Sequence, residues 1–310
     1  MDLLEVVWNF EPRVVPTWKL PAWYGIMWAL GFIVGYQILK KMYASEKMPE
    51  ELLDKSFIYV LLGGIIGARL GHIIFYDLSD YLANPIAIFK IWEGGLASHG
   101  GALGIIIASL LLARKYTEIN FVWLLDRFVV PTALAAFLIR IGNLFNHEIV
   151  GKVTGNDTGF KFLRHDIPEQ FAMNQTNASY PGEAYDKIAS DPNFAYLLNQ
   201  VPNRHPAQLY EGLCYLVIFG VLMWLYWRTN AFKIRGFLLG VFFILLFGAR
   251  FFIEFIKENQ TEVFTERGVD GLMQNTEGLN MGQYLSIPLV CIGLFLVFRK
   301  FKEFKVGKAH

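Results

Sequence analysis

The residues best suited to chemistry in this 310-residue chain are charged side chains set at the ends of apolar runs. In "FLIRIGNLFNHEIVGK", Arg140 and Asn143 are three residues apart and share a helix face. Asn146, His147 and Glu148 follow as the apolar run ends, and Gly151 comes next. One reading is a polar cap with a snorkelling arginine; the other is a site for an anion. In "FGARFFIEFIKENQ", Arg250 and Glu254 stand at i and i+4, spaced for an ion pair or for the second half of that site. Two guanidiniums facing one cavity would suit a phosphate, because the planar fork donates two parallel hydrogen bonds.

Two further stretches carry candidates. "RHPAQLYEG" places Gln208 and Glu211 at i and i+3 behind Pro206, which suits a helix start or a contact with substrate or a neighbouring segment. "EGGLASHGGALG" places His99 among glycines. Imidazole titrates near neutral pH, so His99 is a candidate general base, and Glu148 or Glu254 could share that role or simply orient an arginine. Gly100, Gly101 and Gly104 leave backbone open to a ligand or to another helix. Ser98 and His99 are neighbours, and neighbours on a helix point apart, so they form no Ser/His pair. Arg69, in an apolar run with Gly63, Gly67 and Gly71, either snorkels outward or reaches the site. The glycines there, four apart, suit close helix packing.

These side chains need a scaffold. The chain is 54% hydrophobic and only 18% charged, whereas a soluble domain carries about 25% charge. Apolar runs of membrane-crossing length recur. The expected fold is an all-α polytopic membrane protein of about seven spans, at roughly 21–40, 56–75, 98–114, 121–142, 208–227, 235–256 and 284–300. Residues 1–310 then form a single integral membrane domain. Alternate connections are basic: Lys40, Lys41, Lys47 and Lys55; then Arg114 and Lys115; then Arg228, Lys233 and Arg235; then the tail. Basic connections stay in the cytoplasm, which puts the N-terminus outside and the C-terminus inside. The polar stretch 151–206 then becomes a small extracytoplasmic head, too long for a plain turn. The N-terminus has no basic region before an apolar core and does not read as a cleavable signal peptide. Cys214 and Cys291 lie in apolar runs with no C-x-x-C, so neither a disulfide framework nor a zinc site is indicated.

The motifs also carry a resemblance. "WYGIMWALGF", "GGLASHGGALG", "RIGNLFNHEIVGK", "RHPAQLYE", "RFFIEF" and "MGQYLS", in this order, resemble the prolipoprotein diacylglyceryl transferase family over residues 21–298. The resemblance implies a seven-helix enzyme of the bacterial plasma (inner) membrane. Its substrates would be phosphatidylglycerol and prolipoprotein signal peptides with a lipobox cysteine. Their products would be a thioether and glycerol 1-phosphate. It implies no metal, no cofactor and no nucleic-acid partner. Carried over residue by residue, it assigns Arg140, Asn143, Glu148 and Gly151 to the lipid headgroup site. It assigns Arg250 and Glu254 to a second arginine–carboxylate element, His99, Gly100 and Gly104 to the H-G-G element, and Tyr24 to a functional tyrosine. Arg69 and Gln208 are further candidates for substrate contact. The chain departs from the family pattern at Leu246, at Ala97-Ser98 and at Lys152.

Rival readings are weaker. A transporter for an organic anion needs a path to both faces, and here the unusual polar residues gather towards one. An intramembrane protease needs a Ser/His pair or two aspartates, and Asp126 has no partner aspartate in the spans. A structural scaffold would tolerate loss of Arg140.

Overall fold

The computed structural model describes residues 5–18, 21–90, 94–258, 265–267, 273–275 and 278–305. Glu93, at the head of the histidine motif, and the last residues of the basic tail lie outside the described residues. Among the described residues, seven helices are 17 residues or longer. They are α1 (Trp23–Ser45), α2 (Glu50–Phe75), α3 (Ser98–Lys115), α4 (Phe121–Phe145), α5 (Ala207–Arg228), α6 (Phe237–Ile253) and α7 (Met281–Lys300).

Local chemistry sets several of these boundaries. The Asn120 side chain accepts from the Val122 and Trp123 amides and opens α4. Asn280 and Gln283 form a capping box at the start of α7. α6 is capped from outside itself. Asp126 of α4 accepts from the Gly236 amide at 2.6 Å and the Leu239 amide at 2.9 Å. The "intramembrane aspartate" of the sequence is thus a helix cap.

Four helices are long and apolar enough to cross a membrane: α2, α4, α5 and the stretch Met281–Glu303. α6 is apolar but has 17 residues. α1 is rich in Trp, Tyr and Gly, which lower its mean hydropathy although Trp and Tyr are at home at the membrane surface. Ile58, Leu62, Ile66, Leu70 and Ile74 of α2 are all exposed. Their four-residue spacing makes one apolar stripe, as expected of a helix facing lipid. The chain is a helical membrane protein.

The main packing pairs are α1 with α4, α4 with α5, α6 with α7, and α2 with α3. Leu124, Val130, Ala133, Leu222 and Leu238 lie in the fully buried core of the bundle. At the start of α4, Arg127 pairs with Glu46 at 2.5 Å, and the Tyr226 hydroxyl donates to the same carboxylate at 2.6 Å. These buried groups are mutually satisfied and hold α1, α4 and α5 together.

The segment 151–206 carries β2 (Gly159–Phe162) and several short helices, with Leu163, Ala172, Ala184, Ile188 and Leu197 buried among themselves. The expectation of an all-α chain misses two small sheets. β1 (Glu5–Trp8) pairs in parallel with β2, Glu5 opposite Gly159 and Trp8 opposite Phe162. β3 (Thr265–Arg267) and β4 (Met273–Asn275) form an antiparallel pair. Strands this short carry too little periodicity to be read from sequence.

Candidate active site

Arg140 leaves the last turns of α4 and meets α5, where its Nε lies 2.5 Å from the Glu211 carboxylate. Glu211 is fully buried. A carboxylate there is tolerable only when paired, and Arg140 supplies the pair. The other side of the guanidinium, Nη1, donates to Asn143 Oδ1 at 3.1 Å. The Asn143 amide in turn donates to Glu148 Oε2 at 3.3 Å, and the Asn146 amide to Glu148 Oε1 at 3.2 Å. Gln208, fully buried at the start of α5, donates to the Glu148 carbonyl at 2.7 Å. Tyr24 closes one edge. Its ring packs so tightly on Gly142 that a Cβ there would stand 2.7 Å from it, and it interacts electrostatically with Arg140.

The charges continue past Glu211. Lys257, just beyond α6, lies 3.9 Å from Glu211 and 3.6 Å from Glu254. Burial pulls the Lys257 ammonium below its ordinary value, while Glu211 and Glu254 oppose that shift. Glu254 rests on the start of α7, where a Cβ on Gly282 would stand 2.8 Å from its carboxyl carbon. The pairing of Arg250 with Glu254, spaced correctly in sequence, does not form. Lys257 takes Glu254 instead. Among the described residues the Arg250 side chain makes no hydrogen bond or ion pair, although it acts electrostatically on Tyr215 and Lys257. None of the described residues takes a donor of this half-buried guanidinium. Cations and carboxylates therefore alternate from Glu148 to Glu254, with Arg250, uncommitted among the described residues, beside them.

Gly151 knits three segments at this end. Its amide donates to the His205 carbonyl, and the Lys152 amide donates to the Ile256 carbonyl, both at 2.8 Å. A Cβ on Gly151 would stand 2.5 Å from the His205 oxygen and 2.9 Å from the Ile256 oxygen. Only glycine fits, and the reason is close backbone approach.

The remaining candidates lie elsewhere. Arg69 is buried and donates to the carbonyls of Ala87, Ile88, Lys90, Gly94 and Gly95, so its fork holds a connection rather than the cluster. Gly100 and Gly104 face the backbone of α2. A Cβ on Gly71 would stand 2.6 Å from the Gly100 Cα, and one on Gly63 would stand 2.7 Å from the Gly104 carbonyl. Of the two neighbours these glycines admit, a ligand or another helix, Gly100 and Gly104 take the helix. His99 is exposed at the first turn of α3, its ring 5.3 Å from Phe75 and 5.9 Å from Tyr76. No contact among the described residues joins it to the Arg140 cluster.

Sequence reasoning named Glu211 without making it the partner of Arg140, and it missed Lys257. The signal was there: 250, 254 and 257 fall at i, i+4 and i+7, one face of a helix.

A helical bundle with lipid-facing stripes outside and a charge-lined polar cluster buried at one end defines a membrane protein with a candidate internal site. Comparison with known proteins names its kind. The family model for prolipoprotein diacylglyceryl transferase matches residues 17–299. The phosphatidylglycerol–prolipoprotein diacylglyceryl transferase of Porphyromonas gingivalis is 42% identical over 305 residues, covering 96% of this chain and 95% of that protein. The enzymes of the same name from Tolumonas auensis and Chloroherpeton thalassium are each 38% identical, covering 96% and 98% of this chain and 98% and 97% of their own lengths. The chain belongs to the prolipoprotein diacylglyceryl transferase family.

Proposed function

We propose that this chain transfers the diacylglyceryl group of phosphatidylglycerol to the lipobox cysteine of prolipoproteins, in the plasma (inner) membrane of a bacterium. The observation that carries the reading is Arg250, whose side chain no described residue engages, beside the buried run Glu148–Asn143–Arg140–Glu211–Lys257–Glu254. The alternating charges hold Arg140 rigid, and Arg250, which no described residue engages, is placed to take a phosphate. The peptide sulfur, as thiolate, attacks the glycerol carbon. A C–S bond forms as the C–O bond breaks, and its electron pair leaves on a phosphate oxygen of glycerol 1-phosphate. Arg140 and Arg250 stabilise the charge that grows there, in a site poor in water. Asn143 and Tyr24 orient the headgroup beside Arg140, and Gln208 and Gly151 shape the backbone around it. Two residues compete for the thiol proton: His99, by its chemistry, and Glu148, by its nearness to Asn143 and Arg140.

The membrane arrangement is part of the same proposal. Seven spans, the N-terminus outside and the C-terminus inside put 151–206 outside as a head above the Arg140 end of the bundle. A 17-residue helix such as α6 rises about 25 Å, enough to cross with its flanking turns. The test is purified protein with phosphatidylglycerol and a lipobox peptide, scored by mass. Thioether formation with equimolar glycerol 1-phosphate is expected. Hydrolysis of the lipid without peptide modification would overturn the transfer.

A further inference from the structure

Glu148 sits between two residues with left-handed backbones, His147 at φ 56° and Ile149 at φ 58°. Neither is glycine, and for a β-branched residue this is a genuine outlier. Such strain persists only where surrounding contacts over-determine it, and it gathers at functional sites. Here the contacts come from far away in sequence. The Phe10 carbonyl lies 3.0 Å from Nε2 of the buried His147. A carbonyl only accepts, so Nε2 carries the hydrogen. The Trp8 indole N–H donates to the Leu144 carbonyl at 2.9 Å, and Phe10 stacks on Phe145 with ring centroids 4.2 Å apart. β1 anchors this stretch to β2. Residues 5–10 are a strap across the end of α4, and His147 is where the strap meets the turn that carries Glu148.

We propose that His147 is a positioning residue. Held by the Phe10 carbonyl, it keeps the turn left-handed and so fixes the Glu148 carboxylate against Asn143 and Asn146. Asn143 then aligns Arg140. The proposal rests on the reading of Glu148 and Arg140 as headgroup residues. His147 itself touches no reacting atom, and its ring faces Phe162 and the strap.

The test uses the full-length enzyme in mixed micelles of phosphatidylglycerol and detergent. His147→Gly, His147→Gln, Trp8→Phe and Glu148→Gln are compared for kcat, KM for the lipid and thermal midpoint. Glycine removes the strap bond and reaches the left-handed backbone without strain, so the chain can still fold, but nothing then holds the turn in that conformation and Glu148 is no longer fixed. Glutamine restores an N–H donor. The expected result for His147→Gly is a kcat lowered about tenfold, with KM moved less than about threefold, alongside the fall in midpoint that loss of a buried ring brings. His147→Gln recovers most of the loss. A purely structural histidine would shift the midpoint and leave kcat intact. Wild-type kcat in the glycine variant, or no recovery with glutamine, overturns the proposal. If the glycine variant does not insert, Trp8→Phe carries the test. It drops the bond to Leu144, keeps an aromatic ring, and is expected to lower kcat several-fold; an unchanged kcat there overturns the strap. Glu148→Gln separates the two layers. Full turnover in that variant sinks the reading of Glu148, and the proposal built on it. An inactive Glu148→Gln beside a fully active His147→Gly sinks the strap alone.

Discussion

Replacing Arg140 by lysine keeps a positive charge and removes the fork. In the native cluster Nε meets Glu211 at 2.5 Å while Nη1 meets Asn143 at 3.1 Å. A lysine ammonium is one point charge on a flexible stem and can serve one of these partners at a time. Glu211 is fully buried and next meets Lys257 at 3.9 Å, so it claims the new ammonium. Asn143, and any phosphate bound there, then loses one hydrogen bond to a charged group, about 1.5–3 kcal/mol. If that loss falls on the transition state, kcat drops by roughly 10- to 150-fold. Folding should survive, because the buried carboxylate keeps a cation. Arg140→Ala is a poorer probe, since stranding a buried charge costs about 3–5 kcal/mol of stability and confuses insertion with catalysis. The assay is steady-state turnover of a lipobox peptide in micelles, with the thermal midpoint measured on the same preparation. A lysine variant within threefold of wild-type turnover would refute the headgroup role of Arg140.

Other expectations follow from separate parts of the molecule. If His99 is the base, His99→Gln loses turnover at neutral pH and regains part of it towards pH 9, where a peptide thiol of pKa about 8.5 ionises unaided; equal loss at both pH values assigns the proton to another group. Cysteines placed singly in 151–206 should react with an impermeant thiol reagent added outside, and labelling only from the cytoplasm would reverse the topology. Gly151→Ala should prevent assembly rather than merely weaken substrate binding, because its Cβ would meet two carbonyls; a stable, correctly folded variant would contradict the close approach. Burial holds the His147 imidazole at about 4, below its ordinary 6.5. The unfolded chain therefore binds the extra proton first. Stability is fully present above pH 6.5 and is lost as pH falls towards 4, by up to about 3 kcal/mol. His147→Gln should flatten that part of the midpoint-against-pH curve; an unchanged slope would mean another group is responsible.

The parts legible in the sequence were those with strong periodicity or strong cost. Apolar runs gave the helices, because nothing else accounts for their length, and the glycines of α2 announced a close crossing by their four-residue spacing. Arg140 and Glu148 stood out because charge at the end of an apolar run is expensive, and Asn143 because it shares the helix face of Arg140. Partner choice was not legible. Arg250 and Glu254 are spaced for each other, yet Lys257 takes the carboxylate, since three-dimensional proximity includes α5 and its Glu211. Gly100 and His99 are adjacent in sequence but face opposite ways, one into α2 and one outward. The docking of residues 5–10 on the 151–206 segment was hidden as well, because a four-residue parallel pairing across 154 positions leaves no local pattern.

The cap on α6 bears on how the chain is made. Asp126 is synthesised 110 residues before Gly236, whose amide it holds. At ribosomal speeds of about 5–20 residues per second, α4 waits roughly 5 to 20 seconds before those amides exist. Its neighbour Arg127 does not wait, because Glu46 is already made. During this interval the nascent chain carries a carboxylate with no native partner at the edge of the bilayer, where protonation or lingering contact with the translocation machinery can bear the cost. The arrival of α6 ends that exposure. A chain halted before Gly236 would keep the Asp126 carboxylate without the two amide donors that cap it in the finished protein.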